Sequence, residues 1–189
     1  VGSRRPHAKG PVSPEYALLG LLMLGPSHGY DLHQRLTAEL GSIWHVSQSQ
    51  AYSVLKRLGE RGDVAVRRGE KAKLRRRQVL RVTPQGRRRF RQWLLGAAGA
   101  GARRVRLEFL TRLYFASRLT PKKVGQIYIA QSREIARTVR RLQILMDQVP
   151  EEQTFNRTSL DLRLRQMQLV RRWMQEIRVK FQIDTEAAR

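Results

Sequence analysis

The stretch Ser47–Gly62, SQSQAYSVLKRLGERG, decides how the rest of the chain is read. Ser47 is a good N-cap, and Gln50 follows three residues later. That is the spacing of a capping box, in which each side chain satisfies an orphan backbone N–H at a helix start. Ala51, Val54, Leu55 and Leu58 recur at helical spacing, so one face is apolar and turns inward. The opposite face carries Gln48, Ser49, Ser53, Lys56 and Arg57. Gln can pair bidentately with adenine, Ser reaches base or phosphate oxygens, and Lys and Arg bind phosphate. With Gln50 and Tyr52 these residues form the candidate DNA-contact set of a recognition helix. Gly62 supplies the left-handed residue that ends it. An ordinary amphipathic surface helix has the same pattern, so the neighbouring chain has to decide.

Working outward toward the N-terminus, Ser13-Pro14-Glu15 reads as a helix start, with a cap, a proline at the first helical position and an acid at the positive dipole end. The helix it opens, Pro14 to Leu24, is apolar on most faces and should be buried, and Gly25-Pro26 stops it. Gly29 and Tyr30 open a second helix to Leu40, with Leu32, Leu36 and Leu40 inward. Gly41 closes it, and Ile43, Trp44 and Val46 lead to Ser47. Three short helices with tight turns form a helix-turn-helix unit.

Past Gly62 the period changes to two, with Val64 and Val66, then Leu80 and Val82. Two short strands with a basic tip, directly after a helix-turn-helix unit, make a winged helix. Arg67, Arg68, Lys71, Lys73, Arg75, Arg76 and Arg77 would lie on or near the tip and reach phosphates or a minor groove. Residues 67 to 91 hold twelve Arg or Lys and one acid, Glu70. Such a local cluster is what a phosphate-binding surface needs. The whole chain carries a formal net charge of +23, mostly as arginine, and a genome-wide arginine preference adds to that total.

Thr83-Pro84 starts a further helix, with Phe90, Trp93 and Leu94 inward and Arg87, Arg88, Arg89 and Arg91 outward. Small residues from Gly96 to Gly101 then mark a hinge or boundary. The second half is helical: Val105 to Leu119, then a Thr120-Pro121 start and a stripe of Val124, Ile127, Tyr128, Ile135, Val139, Leu142, Met146 and Val149. A last long helix comes next, Leu160 to Phe181. There Met167, Val170, Met174, Ile177 and Phe181 alternate three and four apart, the spacing of a coiled-coil seam, and Leu162, Leu169 and Trp173 form a second stripe. This half has more apolar face than one copy buries, so a two-fold homodimer is expected, with Met167, Val170, Trp173, Met174, Ile177 and Phe181 at the interface.

The expected fold class is therefore mainly α: a winged helix-turn-helix of three helices and a two-stranded β wing, followed by an α-helical dimerisation domain. The divisions read as a disordered basic arm over 1–12, a DNA-binding domain over 13–95, a linker over 96–102, a helical dimerisation and effector domain over 103–183, and a tail over 184–189. The chain has no cysteine, which removes disulfides and thiolate chemistry and fits a reducing cytoplasm. No apolar run is long enough to span a bilayer, and the N-terminal residues lack a signal peptide's apolar region. No phosphate loop or metal-spaced ligand cluster points to an enzyme. The histidines His28 and His33 are five apart, the wrong spacing for one helical face, and no metal or other cofactor is expected. Two binding functions remain: a sequence-specific regulator of double-stranded DNA, or a non-specific architectural nucleic-acid binder. The long helical second half favours the first, because bulk phosphate binding does not require it.

Several motifs then agree in order. AYSVLKRLGERGDV resembles the recognition-helix signature of the PadR-like transcriptional regulators, with Tyr52, Leu55, Lys56, Arg57, Leu58 and Gly62 in place. LLGLLMLGPSHGYDL resembles that family's first-helix motif in Leu24, Gly25, Pro26, Gly29 and Tyr30. VLRVTPQGRRRFRQWL resembles its wing-to-helix segment in Thr83, Gly86, Trp93 and Leu94. FLTRLYFASRLTP and the late Trp173 resemble the longer C-terminal domain of part of the family. Asp63 stands where the family usually has an apolar residue, Leu80 where an aromatic is common, and the wing lacks the usual glycine-proline pair. The resemblance implies a dimeric bacterial regulator, most often a repressor, that binds a palindromic operator. It also implies a small, often aromatic effector sensed between the winged helix and the C-terminal helices, with Trp93, Tyr114, Tyr128 and Trp173 as candidate pocket residues.

Overall fold

A computed structural model describes residues 12–66, 78–96 and 98–185. The wing-tip candidates Arg67, Arg68, Lys71, Lys73, Arg75, Arg76 and Arg77 lie outside the described residues, as do residues 1–11.

The first helix, α1 (Glu15–Leu24), is the centre of the molecule. Ala17, Leu18, Leu19, Leu21 and Leu22 are all buried, so it is covered on nearly every side. Each fully buried leucine contributes about 2 kcal/mol relative to an exposed one. The helix starts one residue later than its sequence suggests. Pro14 occupies the cap position, while the Ser13 hydroxyl accepts from Glu15 N–H at 3.4 Å.

Gly25 is extended, as the residue before a proline tends to be. The chain therefore runs straight into a short strand, β1 (Ser27–His28), which sequence periodicity did not reveal. Next come α2 (Gly29–Leu40), with Leu32, Leu36 and Leu40 buried, and α3 (Gln48–Glu60). Strands β2 (Val64–Val66) and β3 (Val79–Val82) complete the sheet. The expected two-stranded wing is thus part of a three-stranded antiparallel sheet in the order β1-β3-β2. Val64 lies opposite Val82, Val66 opposite Leu80, and Ser27 also pairs with Leu80. Helix α4 (Pro84–Leu95) begins as expected, with Pro84 at its first position and the Thr83 hydroxyl accepting from Gly86 N–H at 3.1 Å.

The small-residue stretch after α4 is tied down. Arg112 donates to the Gly96 carbonyl, and Ala98 N–H donates to Gln131 Oε1 at 3.1 Å. A short turn of helix, α5 (Ala102–Arg104), then widens into a π-helical segment over Val105–Phe109 before α6 (Leu110–Leu119). One uniform helix was expected here. The Thr111 hydroxyl donates to the Leu107 carbonyl at 2.5 Å, an alternative to the regular backbone ladder. Thr120 does not cap the next helix. Its hydroxyl is buried without a partner among the described residues, and a 3-10 turn over Pro121–Lys123 leads into α7 (Val124–Gln148). The last helix, α8 (Thr154–Lys180), starts six residues earlier than the apolar stripe indicated.

A single hydrophobic core runs from α1 through α6 to α8. Phe90 of α4 meets Phe115 of α6 edge-to-face at 5.5 Å, and Phe115 packs where α1 has only Gly20. Helices α7 and α8 form an antiparallel hairpin, in which Tyr128 OH donates to the Met174 carbonyl at 3.0 Å.

Candidate nucleic-acid interface

The geometry of α3 follows from its ends and its two faces. Ser47 Oγ accepts from Gln50 N–H at 3.3 Å, and Gln50 Oε1 accepts from Ser47 N–H at 3.0 Å, which completes the capping box. Ala51, Val54, Leu55 and Leu58 are buried against the helices beneath. Gly62 takes φ +74°, the left-handed conformation expected of it. Gln48, Ser49, Gln50, Tyr52, Ser53, Lys56 and Arg57 are all exposed, so the structure places the seven sequence-derived candidates on one accessible surface.

They are not equally free. Gln50 spends its carbonyl oxygen on the cap, leaving its amide N–H groups for any base. Ser53 Oγ donates to the Ser49 carbonyl at 3.0 Å. Lys56 lies 3.8 Å from Glu60. Tyr52 leans over Gly29, and a methyl group added there would come within 2.9 Å of its ring. Arg57 is half-exposed but turns back toward Glu15 at 3.6 Å. Gln48, Ser49 and Tyr52 near the N-terminus therefore present their side chains to solvent.

Sequence reading missed what anchors the far end of α3. Glu15, interpreted only as a helix-dipole acid, sits 2.7 Å from Arg61 and 3.4 Å from Arg89 as well as near Arg57. Asp63 is 1% exposed; it pairs with Arg89 and lies 3.7 Å from Arg61. Burial alone would lower the Arg89 guanidinium pKa, but Tyr16 and Asp63 outweigh it and hold the group above the ordinary arginine value. The available signal was an acid at a position that is apolar in the family the motifs resemble. Arg89, assigned to an outward basic face, instead turns inward to these acids.

Of the four aromatics grouped as an effector pocket, Tyr114 lines a cleft, while the other three are held in packed surroundings. Trp93 is packed between Tyr16, stacked at 4.5 Å and 4°, and the Arg112 guanidinium at 4.9 Å. Burial pushes that guanidinium down to about 10. Tyr128 is buried in the α7–α8 hairpin, and Trp173 is half-buried against the core. The cleft, of about 790 Å³, lies between Ile43 of the α2–α3 connection and the second half of the chain. Leu113, Val124, Phe181 and Ile183 form apolar walls, while Arg118 and Lys122 add positive charge. The Arg118 guanidinium lies 3.9 Å over the Tyr114 ring, and Tyr114 OH donates to Glu39 of α2.

The expected dimer seam also requires correction. Met167, Met174 and Ile177 are buried within the chain, because α7 already covers that side of α8. Val170 and Trp173 are half-buried, and Phe181 borders the cleft. On α8 other apolar residues stand in solvent: Phe155 at 91% exposure, Leu162 at 57% and Leu169 at 60%, seven residues apart, and Val179 near the end at 77%. Among the described residues no group of His, Cys, Asp and Glu could hold a metal ion, and no helix is long and apolar enough to cross a membrane.

The Negative transcriptional regulator PadR of Bacillus subtilis (strain 168) is 29% identical over 114 residues, 60% of this chain. The chain spans 62% of the length of that relative. Two solved structures of Bacillus subtilis PadR are also similar. The one in complex with operator DNA has a TM-score of 0.42 and 23% identity, covering 86% of this chain and 94% of the other. The one in complex with p-coumaric acid has a TM-score of 0.41 and 23% identity, covering 94% of this chain and 100% of the other. Residues 18–92 match the family described as Transcriptional regulator PadR-like family.

Proposed function

We propose that this chain is a sequence-specific DNA-binding transcriptional regulator that acts as a homodimer and represses from a palindromic operator. The observation that carries the reading is α3: capped at its start, dry on one face, and lined on the other with Gln48, Ser49, Tyr52, Ser53 and Lys56. The positive charge, concentrated over residues 67 to 91, supplies the sequence-independent part of the affinity. Repression is supported by the name of the relative that shares 29% identity, a negative regulator.

The outer stripe of α8 supports dimerisation. Phe155, Leu162 and Leu169 lie at heptad spacing on a helix whose other apolar side is already occupied. Pairing through this stripe replaces the inner seam as the proposed interface. The cleft beside Tyr114 suits a small aromatic anion: apolar walls take the ring and Arg118 or Lys122 the charge. Because one wall is Ile43, three residues after α2 ends, an occupant would press on the connection that leads to α3. It would lower DNA affinity only by its preference between the two conformations.

The test is fluorescence anisotropy at about physiological salt, with duplex DNA from upstream of the protein's own gene against a scrambled duplex. A preference of roughly a thousandfold or more is expected. Equal affinity there and for every fragment in a genome-wide selection would leave bulk nucleic-acid binding as the function.

A further inference from the structure

Acids are scarce in this chain, 15 against 38 cations, yet two of them converge beneath the recognition helix. Glu15 is the first residue of α1. Asp63 lies in the turn entering β2. Between them they engage Arg57 in the last turn of α3, Arg61 at its C-cap and Arg89 on α4. The same turn is fastened by other bonds: Gln85 Nε2 donates to the Arg61 carbonyl at 2.6 Å, and Thr83 Oγ1 to the Gly62 carbonyl at 2.6 Å.

Burying Asp63 is expensive, and the ion pairs offset that cost rather than add stability. A plain apolar side chain would fill the position without it. What charge provides here is direction. The apolar face of α3 holds the helix against the core without fixing its tilt, because burial is non-directional. An ion pair with hydrogen-bond geometry does fix it. The leverage is large, since 13 residues of helix span about 20 Å, and a tilt of about 10° moves the far end by roughly 3 Å. A hydrogen bond to a base does not survive a displacement of that size.

We propose that Glu15 and Asp63 are positioning residues for DNA recognition. Through Arg57, Arg61 and Arg89 they lock the C-terminal end of α3 to the base of the wing and to α4, and so set the angle at which Gln48, Ser49 and Tyr52 meet the bases. The proposal rests on the DNA-binding reading above. It also assigns Arg57 to the lock, not to the DNA surface.

The chain has no cysteine, so Gln48→Cys and Arg81→Cys allow one spin label each on α3 and β3. Pulsed dipolar spectroscopy of the free protein then reads the spread of the helix-to-sheet distance. The test variants are Glu15→Gln and Asp63→Leu. Asp63→Leu keeps the site filled, so it separates positioning from folding. Both are expected to melt as cooperatively as the parent and to broaden the distance distribution. In the unlabelled protein, the ratio of specific to non-specific affinity should fall tenfold or more. Non-specific affinity should not fall, since no cation is removed. A narrow distribution and an unchanged ratio in both variants would overturn the proposal. If the parent itself shows no specific preference, the DNA-recognition reading fails, and the proposal falls with it even if the distribution broadens.

Discussion

The Trp44 indole N–H donates to the Thr111 hydroxyl at 2.8 Å, in the buried interior, across 67 residues of sequence. Trp44 lies in the connection just before α3, and Thr111 on α6 in the second half of the chain. The bond is therefore a direct mechanical tie between the winged helix and the helical second half, on an element that also bears the 790 Å³ cleft.

Trp44→Phe should remove that donor while keeping most of the buried ring. The expected loss is about 1–3 kcal/mol, from the broken bond and a hydroxyl left with one partner fewer. Urea denaturation followed by circular dichroism measures it. An unchanged midpoint would show that the bond contributes nothing net.

The glycines separate sharply. A methyl group on Gly86 would run into the Asp63 carbonyl, which is backbone and cannot step aside, whereas Gly25 has open space around it. Gly86→Ala should cost about 1–3 kcal/mol or more, the range for overpacking. Gly25→Ala should stay within about 0.5 kcal/mol of the parent, as surface changes do. Thermal melts of the two variants side by side give the comparison.

For α8, Leu162→Asp with Leu169→Asp should give a folded monomer in sedimentation velocity, since both residues are exposed within the chain. Ile177→Asp should instead unfold the helical half, because it buries an unpaired carboxylate against α7. A dimer that survives the double leucine change would move the interface elsewhere.

The wing is tested through salt. If Arg75, Arg76 and Arg77 each neutralise a phosphate, replacing all three with Ala should flatten the plot of log affinity against log salt by about three units. Binding to every duplex should weaken together, because phosphate contacts carry no sequence information. An unaltered slope would remove these arginines from the interface.

Removing the cleft's charge offers a further check. Arg118→Met with Lys122→Met should abolish the response of DNA affinity to an aromatic carboxylate while leaving the effector-free affinity within about twofold. Retention of the full response would place effector sensing outside this cleft.

The sequence by itself determined what depends on neighbours along the chain. The capping box at Ser47 and Gln50, the Thr83-Pro84 start, the left-handed Gly62 and the inward faces of α2 and α3 are set by spacing and local hydrogen bonds, and each is where it was expected. The tertiary structure alone decided what depends on residues far apart. Periodicity marks Met167, Met174 and Ile177 as apolar but cannot say whether α7 or a second copy covers them; only packing shows that α7 does. Trp93 and Tyr128 are aromatic in any register, yet stacking on Tyr16 and a bond to Met174 make them structural. Asp63 looked like an exception to a pattern until Arg61, Arg89 and Glu15 were found around it. An apolar face is non-directional, so its pattern specifies burial without naming a partner. An ion pair is directional, and its partner is chosen only when the chain has folded.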